Sequence, residues 1–349
     1  MPAFSKSELI ERLQGDLRGE HAAIIQYLQH AYRIGEGELA CDIEEIAREE
    51  MRHYKWGSEL VVYLGGDPTI ERGLIAVDGS AAADLLYLDV HAERAAIARY
   101  EYEIQQIDDP RVRRVLERIV SDEKAHLQFF EENVKLLGGP SPKAEAFAAA
   151  KPYAEGSFAA ETNMQVERIE PYPKSPGTPE VKVAVDLLNE DSRQQYSAIL
   201  RYLHLAFVTG LCDVHKEMLE NSAIDEMKHL GWLAEVVAEL SGEPTTEHAG
   251  VNLSNDAATV LRSSIEDERE AIARYGRHLE AVTLPEVKDL LARVRFQESY
   301  HEGSFTLLLE QLAAESSRAG TEGRLGRPRP GQLTVGSLRE LKGTDTESE

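Results

Sequence analysis

Four of the eleven histidines in this chain have a glutamate three residues earlier: Glu50/His53, Glu123/His126, Glu226/His229 and Glu298/His301. Residues three apart share one face of an α-helix, so each pair would present a carboxylate and an imidazole together. A single Glu-x-x-His is weak, because Glu-rich surface helices produce it by chance. Two in each half of the chain, at matching positions, form a pattern. With Glu20 and Glu93, the first half offers four carboxylates and two imidazoles from four helical segments. Such oxygen and nitrogen donors hold iron(II) and iron(III) well. Four carboxylates balance two divalent ions, which makes burial tolerable. A merely solvated charged face does not fit. Ile24, Tyr27, Leu28 and Ile97 lie at helical spacing with the carboxylates, beside which an unpaired buried charge would be costly.

The elements that must position these groups read as helices, with no convincing alternating strand. Ser7 is expected to cap a helix reaching about residue 32, ahead of Gly35 and Gly37. A second helix is expected over 39–64, ended by Gly65 and Gly66. Residues 67–80 hold Pro and Gly and read as a long connection. A third helix is expected over 81–107. Asp109 and Pro110 start a fourth that reaches about 137 and stops at Gly138, Gly139 and Pro140. The long connection between the second and third helices separates this arrangement from a plain up-down bundle.

The pattern repeats. EMRHYKWGSELVVYLGGDP at 50–68 is echoed by EMKHLGWLAEVVAELSGEP at 226–244, and ERAAIARY at 93–100 by EREAIARY at 268–275. LQGDLRGEHAAIIQYLQHAY, in the first helix, is echoed by VDLLNEDSRQQYSAILRYLHLAF. The offset stays at 175 or 176 throughout, the mark of a duplicated domain. The halves are expected at 1–138 and 180–314. A Pro, Ala and Gly-rich connector over 139–179 holds one short helical piece near 144–150, and a disordered tail follows from 315.

A Glu from each of two helices and a Glu-x-x-His from each of the other two resembles the ferritin-like superfamily, especially bacterioferritin and rubrerythrin-type bundles. The resemblance covers nearly all of both halves and implies an all-α chain of two tandem four-helix bundles. It makes Glu50 and Glu123 bridging ligands of a di-iron centre and Glu20 and Glu93 terminal ones, with His53 and His126 on the two irons. It implies a ferroxidase that oxidises iron(II) with dioxygen for iron storage or detoxification. The same ligands also serve a rubrerythrin-like peroxidase or a manganese catalase, both of which use peroxide. No rubredoxin-like cysteine motif is present, which counts against the rubrerythrin form. A third reading is an iron-binding or scaffold protein without turnover.

The second half departs from the pattern. Gln195 stands where Glu20 stands, while Glu226, His229, Glu268, Glu298 and His301 persist. An amide oxygen is a poorer, neutral ligand, so one or two irons held more weakly are expected there, against two in the first half. Asp191 lies one turn before Gln195, but Asp16 occupies the same place in the first half. Met51 and Met227 each follow the Glu of a Glu-x-x-His. In bacterioferritin a methionine there ligates a haem shared by two subunits, but packing is the favoured reading for both. Tyr27 and Tyr202 correspond, as do Tyr100 and Tyr275, and each pair suits hydrogen bonds to ligand carboxylates or core packing.

Lys and Arg total 38 against 62 Asp and Glu, a formal charge of -24 that argues against nucleic acid or an anionic membrane as partner. No apolar run is long enough to span a bilayer, and the first residues lack the apolar core of a signal peptide. Cys41 and Cys212 form no CxxC, fit a reducing cytoplasm and read as small core residues. Near the end, Leu333, Thr334, Val335, Gly336, Ser337, Leu338 and Arg339 follow a Gly, Arg and Pro-rich stretch. This segment resembles the cargo-loading peptides that direct proteins into encapsulin shells. It implies an encapsulin shell protein as partner, beside iron and dioxygen or peroxide, and a place inside a cytoplasmic nanocompartment. A homo-oligomer is also compatible with these features.

Overall fold

Helix caps and apolar periodicity set most of the architecture. The computed structural model describes residues 4–35, 37–77, 81–150, 166–168, 177–208, 211, 213–251, 253, 254 and 256–321. Helix α1 (Lys6–Ile34) is capped by Ser5, not Ser7: Glu8 N–H donates to Ser5 Oγ and Ser5 N–H to the Glu8 carboxylate. That reciprocal pair is the Ser-x-x-Glu capping box. Helix α2 (Glu38–Tyr63) ends where Gly65 N–H donates to Val62 O and Gly66 N–H to Val61 O, with Gly65 at φ +80°. This is a Schellman ending, which favours glycine. Helix α3 (Ala82–Ile104) is shorter than expected. Asp109 caps α4 (Pro110–Leu136) by accepting from Arg111 and Val112 N–H, with Pro110 at the first helical position.

After α5 (Pro142–Ala150) the order repeats as α6 (Pro179–Val208), α7 (Asp213–Glu239), α8 (Ala257–Ala281) and α9 (Pro285–Thr321). Helix α9 passes the expected end at 314, since no glycine or proline follows that point before Gly320. The ending of α7 copies that of α2, with Ser241 in place of Gly65 at φ +56°. The fold is all-α, two ferritin-like four-helix bundles in tandem, with one addition that the sequence pattern did not show. Strand β1 (Ile75–Val77) lies in the connection after α2 and pairs in parallel with β2 (Val166–Arg168). A three-residue run is too short to register as an alternating pattern. Ala76 is held by Gln26 and His30 of α1, through Ala76 N–H to Gln26 Oε1 and His30 Nε2 to Ala76 O.

Within each half, α1 packs mainly on α2 and α3 on α4, as α6 does on α7 and α8 on α9. Between halves, α1 meets α7 and α2 meets α6, the reciprocal pairing of a pseudo-two-fold. His21 and its counterpart Tyr196 meet across that axis, the Tyr196 hydroxyl donating to His21 Nε2 while His21 Nδ1 reaches Glu71 O. Burial and the nearby Arg72 push the His21 imidazole down to about 3, so the ring is neutral and accepts this bond. One apolar cluster, from Leu13 and Leu17 to Leu200 and Leu205, runs through both halves. Cys41 is exposed, a correction to its expected core place: Ala40 and Ile43 take the inward face of α2 instead. Cys212, and 333–339, lie outside the described residues. No described helix is long and apolar enough to cross a membrane.

Candidate metal centre

All six donors expected in the first bundle converge on its axis. Glu20 comes from α1, Glu50 and His53 from α2, Glu93 from α3, and Glu123 and His126 from α4, and every one is buried. Two groups of four form, Glu20/Glu50/His53/Glu123 and Glu50/Glu93/Glu123/His126, each with donor atoms within 4.8 Å of one another. Glu50 and Glu123 belong to both groups, where two ions would share them.

The imidazoles hold this cluster of acids together. His53 Nδ1 is 2.9 Å from Glu50 Oε2 and 3.4 Å from Glu123 Oε1, and His126 Nδ1 is 2.8 Å from Glu50 Oε1. Burial penalises every charge here. Burial together with the Glu123 charge pushes Glu20 and Glu93 well up. For Glu50, the two histidines outweigh burial and hold the carboxyl low. Conversely the carboxylates overcome burial and raise His126 to about 12. Protonated rings and carboxyls thus supply the balancing charge that divalent ions would bring. The donor set suits a metal pair: four hard oxygens and two imidazoles, with Glu93 Oε2 buried without a hydrogen-bond partner.

Sequence reasoning missed the outer partners. The second ring nitrogen of His126 lies 2.8 Å from Glu49 Oε2, and that of His53 3.5 Å from Asp122 Oδ2. Each partner directly precedes the shared glutamate of the opposite helix. Such carboxylate-imidazole contacts fix the ring so that Nδ1 faces inward. Their signal was an acidic residue before each Glu-x-x-His of the first half, common enough on acidic helices to pass unnoticed. The tyrosines stand as hydrogen-bond donors: Tyr27 Oη to Glu93 Oε1 at 2.6 Å, Tyr100 to Glu20 and Tyr202 to Glu268.

In the second bundle Glu226, Glu268, Glu298 and His301 form a four-donor group, the one such group there among the described residues. His229 Nδ1 lies 3.0 Å from Glu226 Oε2 and 3.4 Å from Glu298 Oε1. Gln195 Nε2 donates to Glu298 Oε1 at 2.5 Å and to the Tyr275 hydroxyl at 2.8 Å, while Gln195 Oε1 is buried without a partner. Asp191 does not reach in: Arg274 Nε and His278 Nδ1 each hold it at 2.8 Å. The outer shell also loses charge, since Gln297 faces His229 where Asp122 faces His53.

Comparison with known proteins accords with this geometry. A ferritin-like family model matches residues 13–91. A bacterioferritin of Desulfovibrio desulfuricans is 33% identical over 142 residues, spanning 38% of this chain and 79% of its own. The chain belongs to the ferritin-like family. A probable manganese catalase of Clostridium acetobutylicum is 27% identical over 153 residues, covering 36% of this chain and 68% of its own. A solved ferritin-like diiron-carboxylate protein from Bacillus anthracis is 31% identical, with 38% of this chain and 99% of its own covered and a TM-score of 0.36. In this ferritin-like chain Met51 and Met227 face one cavity between the bundles, lined by other equivalents such as Ile24 and Ile199. Both methionines pack partly buried against the shared core.

Proposed function

We propose that the first bundle binds two iron ions and oxidises iron(II) with dioxygen, and that the second bundle binds iron less completely. The observation that carries this reading is the pair of buried donor groups that share Glu50 and Glu123. Glu20 and His53 would hold one ion, Glu93 and His126 the other, and Glu50 and Glu123 would be available to both. Bound there, the pair supplies two electrons to dioxygen from neighbouring sites. The chain's own residues do the rest. Tyr27 and Tyr100 hold the terminal carboxylates in place, and Glu49 and Asp122 aim the imidazoles. The apolar residues around the bundle axis keep bulk water from the acids. Three carboxylates and Gln195 in the second bundle support one tightly held ion there.

The domain reading completes the proposal: a first bundle over 1–138 and a second from 180 whose last helix runs past 314 to Thr321, joined by 139–179, with a tail that carries Leu333, Val335 and Leu338 into pockets of an encapsulin shell. Two or more tails on one loading complex add avidity. The shell supplies the mineral cavity and this chain the oxidation. Aerobic iron(II) oxidation by the purified protein, beside Glu50→Ala with its helicity checked, tests the chemistry. Fast oxidation that the substitution abolishes is the expected result. Equal rates above buffer would move the chemistry to the second bundle, and no oxidation above buffer would leave peroxide chemistry or an iron carrier. Co-expression with an encapsulin shell, with and without residues 333–339, tests the tail: loading must vanish on deletion.

The likeness to a manganese catalase supports a second reading, in which the same donors hold manganese and dismutate peroxide. Peroxide consumption by manganese-loaded protein that outpaces dioxygen consumption by iron-loaded protein would favour it.

A further inference from the structure

Helix α9 exposes a stripe that the first bundle lacks. Phe296, Tyr300 and Leu307 are 78%, 73% and 56% exposed, and Gly303, also exposed, falls between them. With Arg293 and Glu310 the spacing is 3, 4, 3, 4, 3, that of a two-helix seam. The equivalent positions of α4 are Arg118, Ser121, Ala125, Gln128, Glu132 and Lys135, a polar face with a cation at each end. The duplication therefore serves as an internal control: the same helix in the same fold needs no apolar outer stripe.

Gly303 needs an explanation of its own. It sits mid-helix, where glycine costs up to about 1 kcal/mol relative to alanine. A Cβ placed there meets nothing within 4 Å, so no contact inside this chain requires it.

We propose that α9 pairs antiparallel with α9 of a second copy, about a two-fold axis between Tyr300 and Gly303. Residues whose numbers sum to 603 then face each other. Tyr300 lies over Gly303 of the second copy, Phe296 meets Leu307, and Arg293 meets Glu310. Each contact occurs twice, as an isologous interface demands. A large ring opposite a missing side chain explains the glycine, and opposite charges at the two ends fix the antiparallel direction. Arg293 stacks its guanidinium 4.1 Å from the Trp232 ring centroid, which leaves its in-plane N–H groups for a carboxylate. In α4 the same geometry would set Arg118 against Lys135, so the first bundle is excluded from such pairing. The three large side chains bury at most roughly 400 Å² per copy, below the range of stable interfaces and in that of transient ones. The dimer is therefore weak and forms only as concentration rises.

Sedimentation equilibrium of the full chain from low to high micromolar concentration tests this, with Arg293→Glu, Glu310→Arg and the double substitution. Each single change turns two attractions into repulsions and should weaken the dimer about tenfold. The double change should restore it, and that rescue excludes simple unfolding as the cause. Gly303→Gln should abolish dimerisation with helicity unchanged. A chain that stays monomeric at every concentration, single variants that associate as the parent does, or a double variant as weak as the singles would each overturn the proposal. So would a stripe whose loss spares self-association while preventing attachment to a shell or lipid vesicle.

Discussion

Gln195→Glu is expected to convert the second bundle into a two-ion site. In the parent, Gln195 Nε2 donates to Glu298 Oε1 at 2.5 Å, so a neutral amide ties up a carboxylate that its equivalent Glu123 leaves free for two ions. The substitution removes that donor and adds one negative charge beside the missing ion. A unit charge pair at about 4 Å contributes on the order of 4 kcal/mol at an effective dielectric near 20. Crowding a fourth carboxyl among Glu226, Glu268 and Glu298 offsets part of this. The affinity for the weak ion should therefore rise roughly 10- to 1,000-fold. Anaerobic iron(II) titration followed by calorimetry, with bound metal counted after gel filtration, reads the outcome directly. Three tight ions per chain should become four. A parent chain that already holds four ions of similar affinity would refute the reasoning, as would a variant that still holds three. The metal-free variant should also melt below the parent at neutral pH and recover on loading, since without the ion the buried carboxyl must take up a proton.

Glu103 offers a pH test away from the donors. Burial and then Asp16 on α1 raise it to about 9, against the opposing pull of Arg99 on α3 and Arg12 on α1. The folded chain keeps this proton where the unfolded chain loses it, so stability falls as pH rises from the ordinary carboxyl range to about 9. Glu103→Gln should be more stable than the parent at pH 8, with the advantage shrinking toward pH 5 in urea unfolding; an equal gain at both would contradict this. Asp122→Asn should weaken one ion about tenfold or more without loss of helicity, because it loosens the His53 ring; unchanged titration would remove Asp122 from the site. Ser241→Gly should stabilise by about 0.5–1 kcal/mol, since Ser241 holds the left-handed conformation that Gly65 occupies without strain, and thermal unfolding measures it.

The donor set was legible because helical periodicity is local. Glu50 and His53 share a face wherever the helix sits, and Asp109 with Pro110 starts α4 on any path. The duplication exposed Gln195 as a departure, since one half reports what the other lacks. Tertiary structure alone decided which helices meet, at what height and rotation. That is why Glu49 and Asp122, which act on the opposite helix, escaped a reading along one strand of sequence, and why Asp191 turned out to face Arg274 and His278. It is also why Cys41 lies outside and β1 exists, since three residues carry no period and Gln26 and His30 hold Ala76 from 50 and 46 residues away. The outer stripe of α9 is of the same kind. The packed bundle alone shows that His301 and Phe305 fill the inner face and leave Phe296, Tyr300 and Leu307 outside.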